Sequence, residues 1–344
     1  MMNLPDSARL LANLVAIRSE TWQEAPASRM LVETLPSFGW NGAHLDGAGN
    51  VVARKGKGKK ELILLTHIDT VPGGPDVLIT DDVIRGRGSV DAKGPCCAMA
   101  VAGGSVDIPE DWRITFVAAV GEEIDSRGAR FRMPLHTPAA CIIGEPTGSN
   151  GVALSYRGRV LFRLLAEDPG AHRSGSPGPM TAVVSAAAEI IDITHNMGEG
   201  YSIAVQDMEG HEAGARYADI TIDLRTPMGA DKEDLEIMLA ETAALHGVEL
   251  KIIEYVPPYG VQKSDPVIRA FRNAIRESGS SPRVLAKQGT CDLNVVSPWA
   301  CSMGAYGPGD SHYDHSPDEQ IPVSEFLKGV NVLKMALPRI MSSL

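Results

Sequence analysis

ELILLTHID, residues 61–69, sets the architecture: an apolar run that stops at a histidine and an aspartate. RITFVAAVGEE (113–123) and AACIIGEP (139–146) repeat the plan, each an apolar run closed by polar residues. Such short runs, bounded by turn residues, read as buried strands. Between the first two lies DAKGPCCAMAVAGG (91–104), a loop entering a small-residue helix from about Gly94. Strands alternating with helices predict an α/β domain, a central mixed sheet flanked by helices. Ligands of such sheets gather beyond the carboxyl ends of the strands. His67, Glu122, Glu123 and Glu145 all fall at such ends.

Outward from this core the pattern changes after about residue 152. Residues 152–166 and 216–225 read as strands, and 179–197 and 231–246 as helices. They predict a smaller α+β unit inserted into the first domain. The expected limits are 1–152 with 262–344 for the catalytic domain and 153–261 for the insertion. A chain of 344 residues exceeds the usual single core, which agrees with two domains. Helical pattern returns at 265–278. DLNVV (292–296) and 299–306 read as strand pieces, and 321–342 as a helix capped by Ser324. An amphipathic helix capped near Asp6 or Ser7 opens the chain, and GKGKK (56–60) reads as a hairpin turn.

Composition excludes several classes. A formal charge of −11 argues against nucleic acid, which needs a basic surface. No apolar run approaches the ~20 residues that cross a bilayer. The first twenty residues lack the pattern of a secretory signal, so the cytoplasm is the expected location. The five cysteines, at 96, 97, 141, 291 and 301, form no CxxC pair and suit buried thiols better than a disulfide framework. No GxSxG motif supports a serine hydrolase.

The polar clusters suit metal chemistry. In an extended segment, Asp69 points to the same side as His67 and can hold its ring in one tautomer. Asp91 sits in GRGSVDAKG (86–94), whose glycines let backbone pass close to an ion; a helix N-cap is the ordinary alternative. Glu122 and Glu123 would repel each other without a nearby cation. One can bind metal while the other takes a proton from metal-bound water. Glu145 again follows a buried strand. The loop GPGDSHYDHSPDEQIP (307–322) offers His312 and His315 as nitrogen ligands, and spacing does not separate them.

THIDTVPG (66–73), GRGSVDAKGP (86–95), VGEEIDSRGAR (120–130), IGEPTG (143–148) and YGPGDSHYDHSPDEQIP (306–322) together resemble the M20 family of metallopeptidases and deacylases, over nearly the whole chain. The resemblance implies an α/β catalytic domain interrupted by a lid that often mediates dimerisation, hence a homodimer or higher oligomer. It implies two divalent ions per subunit, Zn2+ or Co2+. His67 and Glu145 would bind one and Glu123 and His315 the other, with Asp91 between them. Glu122 would be general base and then general acid, and Asp69 would orient His67. His315 is preferred to His312 because the family histidine precedes a small residue and Pro-Asp-Glu.

Within the family, DAKGP, GEEIDSRGAR, KQGTCDLNVV (287–296) and YGPGD are most similar to the subgroup that releases lysine or ornithine from an acidic amino-group carrier protein. That subgroup cuts the isopeptide between the carrier's terminal glutamate γ-carboxyl and the α-amino group, in lysine and sometimes arginine synthesis. Acetylornithine deacetylases and succinyl-diaminopimelate desuccinylases share the metal motifs. A non-catalytic metal- or peptide-binding relative is the alternative of another class. His172, in GAHRSG, matches a lid histidine that polarises the substrate carbonyl. Arg225, in DLRTP, matches an arginine that grips a carboxylate. Thr290, Asp292 and Asn294 are further substrate contacts, with Asp292 suited to an ammonium. Arginines 157, 159, 163 and 173 are candidates for meeting an acidic carrier.

Overall fold

The computed structural model describes residues 4–170 and 177–344, so His172 and Arg173 lie outside the described residues. The chain divides into two compact units. Met1–Ser155, Val261–Ala286 and Cys291–Leu344 form the larger, and Tyr156–Gly260 with Lys287–Thr290 the smaller. The segment 287–290, expected in the catalytic domain, groups with the smaller unit.

The larger unit carries strands β1 (Asn41–Leu45), β2 (Val51–Gly56), β3 (Lys60–His67), β4 (Trp112–Ala119), β5 (Ala140–Gly144), β6 (Gly151–Tyr156) and β7 (Ser302–Ala305). Their order in the sheet is β1-β2-β4-β3-β5-β7-β6. β3 runs parallel to β4 and β5, and β5 parallel to β7. β1, β2 and β4 pair antiparallel, as do β7 and β6, so the sheet is mixed. The central strands are buried along almost their whole length. That explains their continuous apolar runs, since a strand covered on both faces needs no polar alternation.

Helices α1 (Asp6–Val15), α2 (Lys93–Ser105), α3 (Pro266–Glu277) and α4 (Val323–Ser343) join the sheet in one core. The small residues of α2 permit a close approach. A Cβ on Gly103 would lie 2.7 Å from Leu64 Cδ1 and from the Trp40 ring. Each fully buried leucine or phenylalanine here, such as Leu62, Leu64 and Phe116, contributes roughly 1.5–3 kcal/mol.

Several local expectations change. GKGKK is not a hairpin turn, because β2 and β3 do not pair with each other and instead flank β4. The connection crosses the start of β4, where Gly58 N donates to Trp112 O at 3.0 Å. A Cβ on Gly58 would lie 1.9 Å from the Asp111 carbonyl carbon, so only glycine fits. DLNVV is a helical turn, Asp292–Val295, rather than a strand; Asn294 Oδ1 accepts from Cys291 N at 3.0 Å and closes it. The last helix begins at Val323 after Pro322, with Ser324 inside its first turn and no side-chain cap. The first helix likewise follows Pro5, and Asp6 lies within its first turn, where negative charge favours the helix dipole.

The smaller unit is α+β. Its antiparallel sheet runs in the order Ser202–His211, Arg216–Thr226, Gly158–Asp168, Glu249–Val256. The continuous strand expected at 152–166 is broken at Arg157, between β6 and Gly158–Asp168. Helices Pro179–Asn196 and Lys232–Leu245 contribute Val183, Ile190, Leu235 and Leu239 to a core with Phe162, Leu164 and Ile222. Asp231 starts the second helix by accepting from Glu233 N and Asp234 N.

Candidate metal centre

The parallel trio β4-β3-β5 brings distant residues to one edge. Register places His67 beside Ala119 and Thr66 beside Gly144. His67 therefore ends β3, Glu122 and Glu123 follow β4 by a short turn, and Glu145 follows β5 directly. Gly121 makes that turn at φ +77°, where a Cβ would lie 2.1 Å from Arg127 Nη1. Asp91 arrives from the loop before α2 and His315 from the loop before α4. Asp91 is not a helix cap: α2 starts at Lys93 after Ala92.

Among the described residues two donor sets result, His67–Asp91–Glu145 and Asp91–Glu123–His315. Within each, the candidate ligand atoms lie within 4.8 Å of one another. His67 Nε2 is 3.1 Å from Asp91 Oδ1 and 4.0 Å from Glu145 Oε1. His315 Nε2 is 3.3 Å from Asp91 Oδ2 and 3.1 Å from Glu123 Oε2. Asp91 is common to both sets and turns one oxygen to each. His312 is elsewhere: its side chain is 92% exposed and its Nδ1 lies 2.8 Å from Asp310.

Asp69 is buried behind this cluster. Its main-chain carbonyl, at 3.0 Å, is closer to His67 Nδ1 than its carboxylate, at 3.6 Å. The carboxylate instead accepts from Glu122 N at 3.0 Å, Glu123 N at 3.2 Å and Thr21 Oγ1 at 2.8 Å. Asp69 thus holds the histidine with its backbone and the glutamate pair with its side chain.

The electrostatics are lopsided. Burial, opposed by His67 and reinforced by Glu145, Asp292 and Glu123, pushes the Glu122 carboxyl well above the usual range. Burial also raises Glu123. Burial alone would depress His67, but Asp69, Asp91 and the charge of Glu122 hold it well above an ordinary imidazole. Hydrogen bonds to Asp91 and Glu123 raise His315 to about 10. These raised imidazoles report the negative field that a cation would meet.

Asp292 is 1% exposed, and burial raises its carboxyl to about 7. Among the described residues neither oxygen meets a hydrogen-bond partner, although the Ser126 hydroxyl lies near enough to favour the charged form. Its charge acts on Glu122, which places it within the same electrostatic neighbourhood. Asn294 spends its carbonyl oxygen on the local turn. Arg225 and Thr290 belong to the smaller unit and bond to each other at 3.0 Å; Arg225 also donates to Asp223 at 3.0 Å. His172 lies outside the described residues.

All five cysteines are free, and burial pushes the Cys96 thiol up to about 12, which disfavours a thiolate nucleophile. Sequence reasoning missed Thr21, Arg87 and Glu319. Glu319 lay within a quoted motif, but its partners are more than two hundred residues away. No local spacing could signal that.

The chain is similar over nearly its whole length to known proteins. A protein of Thermococcus kodakarensis, provisionally named as a LysW-lysine/LysW-ornithine hydrolase, is 36% identical, covering 97% of this chain and 92% of its own. The LysW-lysine hydrolase of Deinococcus radiodurans is 33% identical, with 96% of each chain covered. Among solved structures, the M20 family metallo-carboxypeptidase Sso-CP2 of Sulfolobus solfataricus superposes with a TM-score of 0.80 at 16% identity, covering 99% of this chain and all of that one. That likeness speaks for the fold. Residues 63–339 match the peptidase family M20/M25/M40, and with the full-length relatives they show that this chain belongs to that family.

Proposed function

We propose that the protein is a metal-dependent amidohydrolase that cuts the isopeptide bond joining lysine or ornithine to an amino-group carrier protein. The observation that carries the chemistry is the pair of donor sets sharing Asp91, with Glu122 beside them. The relatives' names support the substrate.

The donors fit two divalent ions. Imidazole with carboxylate suits zinc or cobalt, and an odd excess of buried carboxylates without metal would be costly. His67 and Glu145 would hold one ion, Glu123 and His315 the other, and Asp91 both. Bound divalent ions supply carbonyl polarisation and an acidified water. Glu122 accepts the proton released as water attacks and returns it to the leaving amine. Asp69 keeps Glu122 and Glu123 in place through their amides. Asp292 offers its buried carboxylate to the side-chain ammonium of lysine or ornithine. Arg225, Thr290 and Asn294 are further contacts with substrate polar groups, and His172 a donor to the amide carbonyl.

The smaller unit acts as a lid and dimerisation domain. Strand Ser202–His211 supports the dimerisation role, being exposed along nearly its whole length at the edge of its sheet, with Val205 and Met208 outward. An exposed edge strand leaves backbone groups open to pairing with another chain. No described helix is long and apolar enough to cross a membrane.

The test is hydrolysis by zinc- or cobalt-loaded enzyme of carrier-linked lysine and carrier-linked ornithine beside acetylornithine and succinyl-diaminopimelate. Turnover of a carrier-linked substrate is expected. Activity confined to the two small acylated compounds would overturn the substrate assignment.

A further inference from the structure

We infer that Arg87 and Glu319 act as one positioning clamp that sets Asp91 and His315 relative to each other. This rests on the metal-binding reading above. The clamp begins in a short ladder: Gln320–Pro322 pairs antiparallel with Val83–Arg85, so the loop carrying Asp91 and the loop carrying His315 leave it side by side. Gly86 N donates to Glu319 O at 3.1 Å and extends the pairing by one bond.

The Glu319 side chain then turns inward and is fully buried. Its Oε1 accepts from Val90 N at 2.9 Å and from Asp91 N at 3.0 Å. Its Oε2 accepts from Arg87 Nη1 at 2.7 Å. Arg87 reaches on with Nη2 to His315 O at 3.2 Å. A continuous chain of bonds therefore runs from the amide of Asp91, through one carboxylate and one guanidinium, to the carbonyl of His315. Both ends are backbone groups of candidate ligands.

His315 needs such support. It sits at φ +57°, in the left-handed region that a non-glycine residue rarely adopts. Its side chain is half exposed, so packing alone does little to hold it. A residue in that conformation persists where its surroundings over-determine it. A planar guanidinium can serve a carboxylate and a carbonyl at once from a fixed fork, which an ammonium on a flexible stem cannot. Partners that orient metal ligands in this way influence affinity without touching the ion.

The clamp should act most on the ion held by His315, Glu123 and Asp91. Metal-free protein titrated calorimetrically with Zn2+, and with Co2+ followed by its visible absorption, reads this directly. Wild type should take up two ions. Glu319→Gln keeps the shape but not the charge; Arg87→Lys keeps the charge but not the reach. Each should weaken the ion held by His315, Glu123 and Asp91 about tenfold or more and the other ion less, and the cobalt band of the more weakened site should shift. The double variant should be no worse than the worse single, because both residues serve one bond chain. If one variant does not fold, the other carries the same test. Two ions bound with wild-type affinity in a folded variant would overturn the clamp, as would equal weakening of both ions or losses that multiply in the double variant. A wild-type protein that binds no ion would overturn the metal reading itself, a result distinguishable from failure of the clamp alone.

Discussion

The two ends of β3 carry buried charge under opposite rules. At its start, Glu61 is 1% exposed. Thr115 Oγ1 donates to it at 2.6 Å and Arg113 Nη2 at 3.2 Å. Arg132 donates to His136 Nε2, which leaves Nδ1–H of that ring to donate to Glu61 at 3.1 Å. Burial alone would raise this carboxyl, but His136, Arg113 and Thr115 hold it down at about 2. Six residues on, roughly 20 Å away along an extended strand, His67 faces a different company. There Asp69, Asp91, Glu122, Glu123, Glu145 and Asp292 surround two imidazoles. One end is closed by the chain's own cations, and among the described residues the other gathers more carboxylates than imidazoles. Buried charge that a chain balances itself is scaffold. Buried charge left in excess marks where something positive belongs.

Substitutions at the two ends should therefore fail differently. The largest effect is expected from Glu122→Gln, with turnover falling about 10³-fold while bound metal, measured by elemental analysis, stays at the wild-type level. Near-normal turnover would break the comparison, since Glu122 would then be one more structural carboxylate. Asp292→Asn should raise KM for a substrate bearing a free ammonium about 10- to 100-fold, with a smaller change in kcat, as expected when a charge-assisted bond is lost. An unchanged KM would remove Asp292 from the binding site.

At the closed end, Glu61→Gln should spare the steady-state kinetics and cost stability. The folded carboxyl lies below its ordinary value of 4.5, so its contribution is complete above pH 4.5 and is lost as pH falls towards about 2. Denaturant unfolding should show a loss of about 2 kcal/mol near pH 7, allowing for the partly exposed Arg113, with the gap to wild type closing in acid. A gap that persists at pH 2 would mean the loss is one of packing. The smallest effect belongs to His312→Ala, which should leave metal content and kinetics unchanged because that ring is exposed beside Asp310.

How far the sequence could be read follows the same division. β3, β4 and β5 were legible because each apolar run stops where a strand meets the site, and His67, Glu122, Glu123 and Glu145 stand at those stops. Asp91 was ambiguous until the helix start at Lys93 released it from a capping role. Residue spacing left His312 and His315 equal; family pattern chose His315, and geometry places that ring between Asp91 and Glu123. The turn at Asp292–Val295 was misread because its paired valines favour strand locally, while Asn294 closes a helical turn. GKGKK was misread because no local pattern reveals that β4 will lie between β2 and β3. Thr21, Arg87 and Glu319 act through partners far along the chain.

Asp91, the carboxylate common to both donor sets, is the residue on which two cation sites depend. Calorimetric titration of the metal-free protein with Zn2+, compared with Asp91→Ala, measures this. Two ions per chain are predicted for wild type, with both strongly weakened in the variant, because each set loses a member. A wild-type chain that takes up no ion, or an Asp91→Ala protein that still binds two with unchanged affinity, would contradict it.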